Sequence, residues 1–365
     1  MKIIKIDTIT IGLPFENPGP ESSFAIADKN ALKTLLIKIE TDKGIIGWGE
    51  SWGYTSIEAT KSTLLSMVIP LLIGKEINSI EDINKINKEL QLKLHVFGRY
   101  GITMFALSGI DIALWDIVGK IENKSIADLL GGLRVNSLEA YASLFLYDDP
   151  EATAIVSEKA VNEGYKIIKL HENKMPPILS SRKIIGDCPL MVDVNCVWSE
   201  TDMEQIISPL KEAKLYWLEE PLWPPENYNG LSKLRNKGFK IASGENACTS
   251  YQFKEIINNN ASDILQPSVT KVGGISEIIK ITELEQKNSR VVPHSPYFGP
   301  GFMATLQLIG SIAPDSEIER LYVDLKADLY HGASNIDSKG NISIPNGPGL
   351  GMEPNLEIIE KYSVK

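Results

Sequence analysis

A (β/α)₈ barrel preceded by an α+β unit is the fold class this sequence predicts, and three features of the 365-residue chain predict it. From Leu138 onward, eight short apolar segments each carry a polar residue at or near the C-terminal end: Ser143, Lys169, Asp193, Glu219, Glu245, Ser268, His294 and Glu319. These positions recur every 23–26 residues, with an amphipathic stretch between neighbours, so one strand, one helix and two loops make the repeat. The N-terminal part reads differently, with strands first and helices after. A leucine-rich repeat shares the period but needs a Leu/Asn pattern that is missing. A doubly wound sheet would gather its ligands at one switch point, and no GxGxxG or P-loop follows any strand.

The elements follow in order. "IIKIDTITI" (Ile3 to Ile11) alternates apolar and polar residues, as a half-buried strand does, and lacks the apolar core and cleavage site of a signal peptide. "LPFENPGPESSFAIADKN" is rich in Pro, Gly and Ser and too long for a hairpin turn, which leaves two readings open, a lid or an unstructured connection. "ALKTLLIKIETDKGIIGWGE" (Ala31 to Glu50) reads as two strands turning at Asp42-Lys43-Gly44. Helical segments run from about Ser56 to Gly119. The last of them, "GITMFALSGIDIALWDIVGK" (Gly101 to Lys120), is apolar nearly all round, as a helix packed between two layers must be. "LLSMVIPLLIG" (Leu64 to Gly74) is too short to span a membrane and contains Pro70. "ADLLGG" (Ala127 to Gly132) is a short helix with a glycine stop. The barrel strands are then "LEAYAS", "GYKIIKLH", "PLMVDVN", "LYWLEE", "FKIASGE", "SDILQPS", "RVVPHS" and "SEIERL". In the last, Glu317 competes with Glu319 for the functional position.

Composition narrows the function. A hydrophobic share of 43% supports a large core, and a net charge of −10 argues against nucleic-acid or anionic-membrane partners, which reward a basic face. Cys188, Cys196 and Cys248 have no CxxC spacing and an odd count, so neither a zinc cluster nor a disulfide framework is expected, and the expected compartment is the reducing cytoplasm.

Asp193, Glu219 and Glu245 end three consecutive strands, which lie side by side around one mouth of a barrel. Taken singly, each acid is equally well read as a helix cap; three in register would repel one another unless a hard cation sat among them, and oxygen-only ligation favours Mg²⁺. Strand alternation sends Glu219 inward and Glu220 to the other side. Lys169 and His171, at i and i+2, share a face, and the ammonium is expected to hold the imidazole neutral. His294 comes from the opposite side, and Glu319 from the last strand. A lone histidine is commonly structural, Lys169 has Asp193 and Glu219 as simple partners, and Glu319 a surface lysine; position in the ring favours the functional reading. A hard cation with a base on each side suits removal of a proton next to a carboxylate, with Lys169 and the cation stabilising the enolate dianion. Glu319 contributes there only if it is protonated and donates a hydrogen bond.

At these residues the chain resembles the enolase superfamily, in its mandelate racemase and muconate lactonizing enzyme-like group. The likeness runs over nearly the whole length: "ALSGIDIALWDIVGK", "LLGG", "KLH", "VDVN", "WLEEP", "SGEN", "QPSVTKVGG", "PHS", "IERL" and the tail "PNGPGLG". It implies a modified (β/α)₇β barrel over residues 126–325, an α+β capping domain over 1–125, and a C-terminal segment, 326–365, that returns to the capping domain. It implies Mg²⁺ on Asp193, Glu219 and Glu245, acid–base work by Lys169, His171 and His294, and a Glu319 hydrogen bond to a substrate carboxylate. Ser143, Asn195, Ser268 and Lys271 are then expected near the substrate or the groups that hold it. The capping loops, Pro14 to Asn30 and "GESWGYTS" (Gly49 to Ser56), would set specificity, with Trp52, Tyr54 and Phe15 near the pocket. A homo-oligomer, dimer or octamer, acting on a small carboxylate is implied.

Two positions depart from the group's pattern. His171 stands where a second lysine is usual, and needs far less pKa adjustment to act near neutrality. Ser268 stands where an aspartate partners the histidine or a lysine is the base. A hydroxyl can orient His294 but supplies no anion for its imidazolium. Racemisation needs two competent bases, whereas dehydration needs one base and one acid, so dehydration of a hydroxy-carboxylate such as a sugar acid ranks first and racemisation or epimerisation of an α-substituted carboxylate or amino-acid derivative second.

Overall fold

The computed structural model describes residues 1–20, 31–284 and 289–364. Strands β1 (Ile3–Glu16), β2 (Ala31–Thr41) and β3 (Ile46–Ser51) form an antiparallel meander. β1 runs five residues beyond the Ile11 expected from alternation, into the Pro14 to Asn30 segment; residues 21–30 of that segment lie outside the described residues. Helices α1 (Ile57–Thr63), α2 (Ile80–Leu94) and α3 (Ile102–Glu122) follow. By length and composition α3 is apolar enough to cross a membrane, but 89% of its apolar window is buried in the fold, as expected of a core helix. β3 lies directly on it: a Cβ at Gly49 would sit 2.0 Å from the carbonyl oxygen of Gly109. That close approach brings the next residues, Glu50 to Trp52, over the barrel.

After the short α4 (Ile126–Leu129), closed by a Ser125–Asp128 capping box worth about 1 kcal/mol, seven strand–helix units follow. The strands are β4 (Ser137–Ser143), β5 (Ile168–Leu170), β6 (Leu190–Asp193), β7 (Trp217–Glu219), β8 (Ile241–Ser243), β9 (Ile264–Leu265) and β10 (Arg290–Val291). Their helices are α5 (Pro150–Asn162), α6 (Met175–Ile185), α7 (Glu200–Glu212), α8 (Tyr228–Asn236), α9 (Thr249–Asn258), α10 (Ile275–Thr282) and α11 (Pro300–Ile312). The eighth strand, β11 (Ile318–Leu321), pairs in parallel with the first, β4, so the sheet curls back on itself. β11 is followed by β12 (Asp324–Leu325), which pairs with β1, rather than by a barrel helix, giving the (β/α)₇β arrangement. The tail serves both parts: β13 (Asn341–Ser343) pairs with β4, and past α12 (Leu356–Tyr362) the Val364 amide donates to Thr10 O at 2.8 Å.

The barrel interior explains where the chemistry sits. Tyr141, Ile167, Met191, Trp217, Ala242, Ile264 and Val292, one from each of seven successive strand segments, form a separate buried cluster that plugs the ring. Inward positions repeat every second residue, so the next layer up is Ser143, Lys169, Asp193, Glu219, Gly244, Gln266 and His294. The plug orients that layer as well as filling space: Trp217 Nε1 donates to Glu219 Oε2 at 3.0 Å, and Lys169 Nζ lies 5.8 Å from the Tyr141 ring centre.

Candidate active site

Asp193 and Glu219 end β6 and β7 and are register partners. Glu245 follows two residues past the end of β8, in the loop rather than the strand. Carboxylate oxygens of the three lie within 4.8 Å of one another, and all three residues are buried. Lys169 Nζ reaches Glu319 Oε1 at 2.8 Å, Glu219 Oε1 at 3.0 Å and Asp193 Oδ2 at 3.5 Å. Lys271 Nζ reaches Glu245 Oε1 at 3.0 Å and Asn246 Oδ1 at 3.1 Å. Four buried carboxylates (Asp193, Glu219, Glu245, Glu319) thus face two buried ammonium groups (Lys169, Lys271), an excess of two negative charges.

That imbalance registers on Glu219: burial, with Asp193 and Glu319 beside it, pushes its carboxyl up to about 8 despite Lys169. Asp193 goes the other way, to about 2, because Lys169 and His171 outweigh its burial. Glu245, against His294 and Lys271, is held well below the usual carboxylate range in spite of burial. Three acids so placed fit a divalent cation, and an all-oxygen donor set fits Mg²⁺. Glu220 stands outside the set. It accepts from Cys196 Sγ at 3.4 Å and Asn246 Nδ2 at 3.5 Å, and burial together with Glu245 and Asp193 raises its carboxyl well above normal.

His171 lies just past β5 and is clamped at both ring nitrogens. Nδ1 is 2.5 Å from the Leu144 carbonyl, which only accepts, so Nδ1 carries a proton; Nε2 faces Asp193 Oδ2 at 3.3 Å. Burial disfavours its charge, but the hydrogen bond to Asp193 and the field of that carboxylate prevail, and the pKa is raised. This corrects the expectation that Lys169 keeps His171 neutral: the lysine acts in the expected direction but is outweighed. Lys169 itself is held well above its ordinary value, because Glu219, Glu319, Tyr141 and Asp193 overcome its burial.

The opposite side is built differently. His294 Nε2 lies 3.1 Å from Glu245 Oε2, and Nδ1 is buried with no hydrogen-bond partner among the described residues. Ser268 does not reach it. The Ser268 hydroxyl is 3.5 Å from Thr270 Oγ1 and 3.4 Å from the Tyr297 hydroxyl, and it is Tyr297 that donates to His294, at the backbone oxygen, at 2.9 Å. The expected orienting role for Ser268 is therefore indirect. Glu319 accepts from the Ser295 amide at 2.8 Å, and Lys169 and His294 lower its pKa against the pull of burial. Its carboxylate anchors Lys169, 2.8 Å away.

The remaining expected residues gather here with one exception. Asn195 donates to Asp193 Oδ1 through its backbone amide (2.9 Å) and its side chain (3.1 Å), fixing the carboxylate. Ser143 is fully buried beside Lys169, its register partner. The Trp52 ring covers Lys271 Nζ at 4.1 Å, lies 5.9 Å from the His294 ring and stacks on Tyr54. Phe15 stands behind the wall, packed on Phe145 at 6.0 Å. A cavity of about 350 Å³ opens above the cluster, a size suited to a small ligand. Leu32, Tyr54, Phe145, Phe298 and Leu321 give it an apolar wall, with Lys33 also lining it. Two residues that sequence reasoning passed over, Glu50 and Tyr297, also line it. Glu50 stood inside the quoted "GESWGYTS", but nothing local marks it.

A barrel with this acid cluster at its C-terminal mouth and a capping sheet above defines a class, barrel enzymes whose catalytic groups stand at the strand ends. The Enolase C-terminal domain-like family matches residues 152–358, and the Mandelate racemase / muconate lactonizing enzyme, N-terminal domain, matches residues 15–131. The chain belongs to the enolase superfamily, in its mandelate racemase and muconate lactonizing enzyme-like group. It is 31% identical to the D-galactarolactone cycloisomerase of Agrobacterium fabrum, with 99% of each chain covered, and 29% identical to the arabinonate dehydratase of Saccharolobus solfataricus, with 92% of each covered. The crystal structure of the 3,6-anhydro-D-galactonate cycloisomerase from Zobellia galactanivorans superimposes with a TM-score of 0.83 at 26% identity, covering 100% of both chains.

Proposed function

We propose that the protein catalyses Mg²⁺-dependent dehydration of a small hydroxy-carboxylate of the sugar-acid kind. The observation that carries this reading is the inequality of the two histidines: His171 is held at both ring nitrogens beside Lys169, whereas His294 has no partner on Nδ1 among the described residues. A racemase needs bases of matched competence on the two faces of one carbon; one base and one proton donor suit elimination. In its neutral form, with the one ring proton on Nδ1 toward the Leu144 carbonyl, His171 takes the proton from the carbon next to the carboxylate at Nε2, a form that its raised pKa confines to the higher-pH side. The electron pair moves into the carboxylate and returns to form the carbon–carbon double bond, while the hydroxyl on the adjacent carbon takes the proton from His294 Nε2 and leaves as water. The resulting enol gains a proton on carbon and becomes a 2-keto acid. Lys169, firmly charged, faces the developing negative charge, and Glu319 holds its ammonium in place. Asp193, Glu219 and Glu245 would hold the cation, which supplies further stabilisation of that charge when bound. Relatives named as arabinonate and D-xylonate dehydratases support this reading.

A second reading keeps the first step and changes the leaving group to a ring oxygen, giving a cycloisomerisation; the two cycloisomerase relatives favour it. Incubation of the Mg²⁺-loaded protein with a panel of aldonic, aldaric and lactone acids in ²H₂O separates the readings. Dehydration yields semicarbazide-reactive 2-keto acids with loss of water, and cycloisomerisation yields an isomer of unchanged composition carrying solvent deuterium. Deuterium at the α-carbon with inversion and no elimination would replace both with racemisation or epimerisation.

A further inference from the structure

Glu50 is a buried carboxyl that the proposed mechanism does not use. It lies near the end of β3 in the N-terminal sheet, 3% exposed, and its partners are split between two parts of the molecule. Oε1 accepts from the Thr34 hydroxyl of β2 in its own sheet. Oε2 accepts from the backbone amide of Gly301 at 2.9 Å, in the first turn of α11. An acceptor there satisfies one of the amides that a helix start leaves unpaired. The loop it meets is shaped to admit it: a Cβ on Gly299 would lie 2.4 Å from Glu50 Oε2.

That loop joins β10 to α11 and carries His294. One end is fixed by the barrel and by the Ser295 amide on Glu319. The other end is fixed by Glu50. Two residues beyond, Trp52 donates its amide to Thr270 O at 3.1 Å and lays its ring 5.9 Å from the His294 imidazole. Glu245 Oε2 meets that imidazole at Nε2, 3.1 Å away, but Nδ1 has no hydrogen-bond partner among the described residues, so where the loop is held sets whether the ring meets Glu245 in register.

We infer that Glu50 is a positioning residue for His294, pinning the loop after β10 to the capping sheet through Thr34 and Gly301. The inference rests on the reading that His294 handles a proton, but its first test needs no substrate. The four histidines give resolvable ring signals in ¹H–¹³C spectra, with His294 assigned by His294→Asn. Glu50→Gln keeps an oxygen for the Gly301 amide and a donor for Thr34, and the His294 signal is expected to stay in place. Glu50→Ala is expected to shift or broaden the His294 signal while those of His95 and His331 stay fixed. Should Glu50→Ala fail to fold, Glu50→Asp, too short to reach both partners, replaces it. An unmoved His294 signal in a folded Ala or Asp variant overturns the inference, as does a Gln variant as perturbed as Ala. With a turned-over acid from the panel, Ala is expected to lower kcat more than tenfold with KM within twofold, and Gln to restore it. A loss confined to KM overturns the inference. If no acid is turned over, the dehydration reading fails while the spectra still decide this one.

Discussion

Replacing Glu50 by glutamine has a consequence for stability that can be worked from its surroundings. Burial pushes the Glu50 carboxyl up to about 7 from an ordinary 4.5, even though Thr34 and Gly301 favour its ionised form. The Tyr297 and Tyr330 phenols and the Thr34 hydroxyl beside it are uncharged groups. A carboxyl whose pKa is higher folded than unfolded makes the folded state bind more protons between those two values. Its contribution to stability is therefore fully present below about pH 4.5 and is lost as pH rises through about 7, after which it is flat. Raising the carboxyl from 4.5 to about 7 corresponds to roughly 3 kcal/mol in all, of which about 2.5 kcal/mol falls between pH 5 and pH 8. Glutamine keeps the hydrogen bonds and never ionises, so Glu50→Gln is expected to gain about 2.5 kcal/mol on the parent protein on going from pH 5 to pH 8. Urea unfolding of both proteins at the two pH values measures this, because other titrating groups, such as Asp111, are common to both. If the difference between variant and parent is the same at pH 5 and pH 8, Glu50 does not titrate in the folded protein and the argument from its burial is wrong.

The acid cluster predicts that Mg²⁺ raises the unfolding temperature, with about 2.7 kcal/mol of stabilisation at a hundredfold excess over Kd, and that Glu219→Gln or chelation removes the effect; thermal unfolding with and without Mg²⁺ checks it. Glu220→Gln should behave oppositely, leaving Mg²⁺ stabilisation and turnover within about threefold of the parent, since that carboxyl lies outside the ligand set and burial favours its neutral form; titration calorimetry and kcat decide. For the histidines, His171→Ala is expected to abolish α-deuterium exchange, whereas His294→Asn is expected to retain exchange and slow water loss by about 10²-fold or more, as read by NMR and keto-acid formation.

What the sequence revealed follows from how each feature is encoded. A barrel repeats one local unit, so its period survives in the spacing of strand ends, and alternation then lifts Lys169, Asp193 and Glu219 one layer above the plug of Ile167, Met191 and Trp217. The sign of the His171 shift was hidden because it depends on which atom lies opposite Nε2. Alternation puts Lys169 and His171 on one face but does not state that an Asp193 oxygen on the next strand lies 3.3 Å from the ring's Nε2. Ser268 misled for a related reason. Spacing counts it as a strand end, but β9 stops at Leu265, and the chain has turned toward Thr270 and Tyr297 by the time it reaches the serine. Glu50 was least legible of all, since its partner Gly301 is 251 residues away and its significance is tertiary. The two ends of the site therefore differ in kind. The side of His171 is assembled within neighbouring strands and is written into their register, whereas the side of His294 depends on a loop held from another sheet. Substitutions far away in the capping sheet should consequently disturb the proton donor before they disturb the acid cluster.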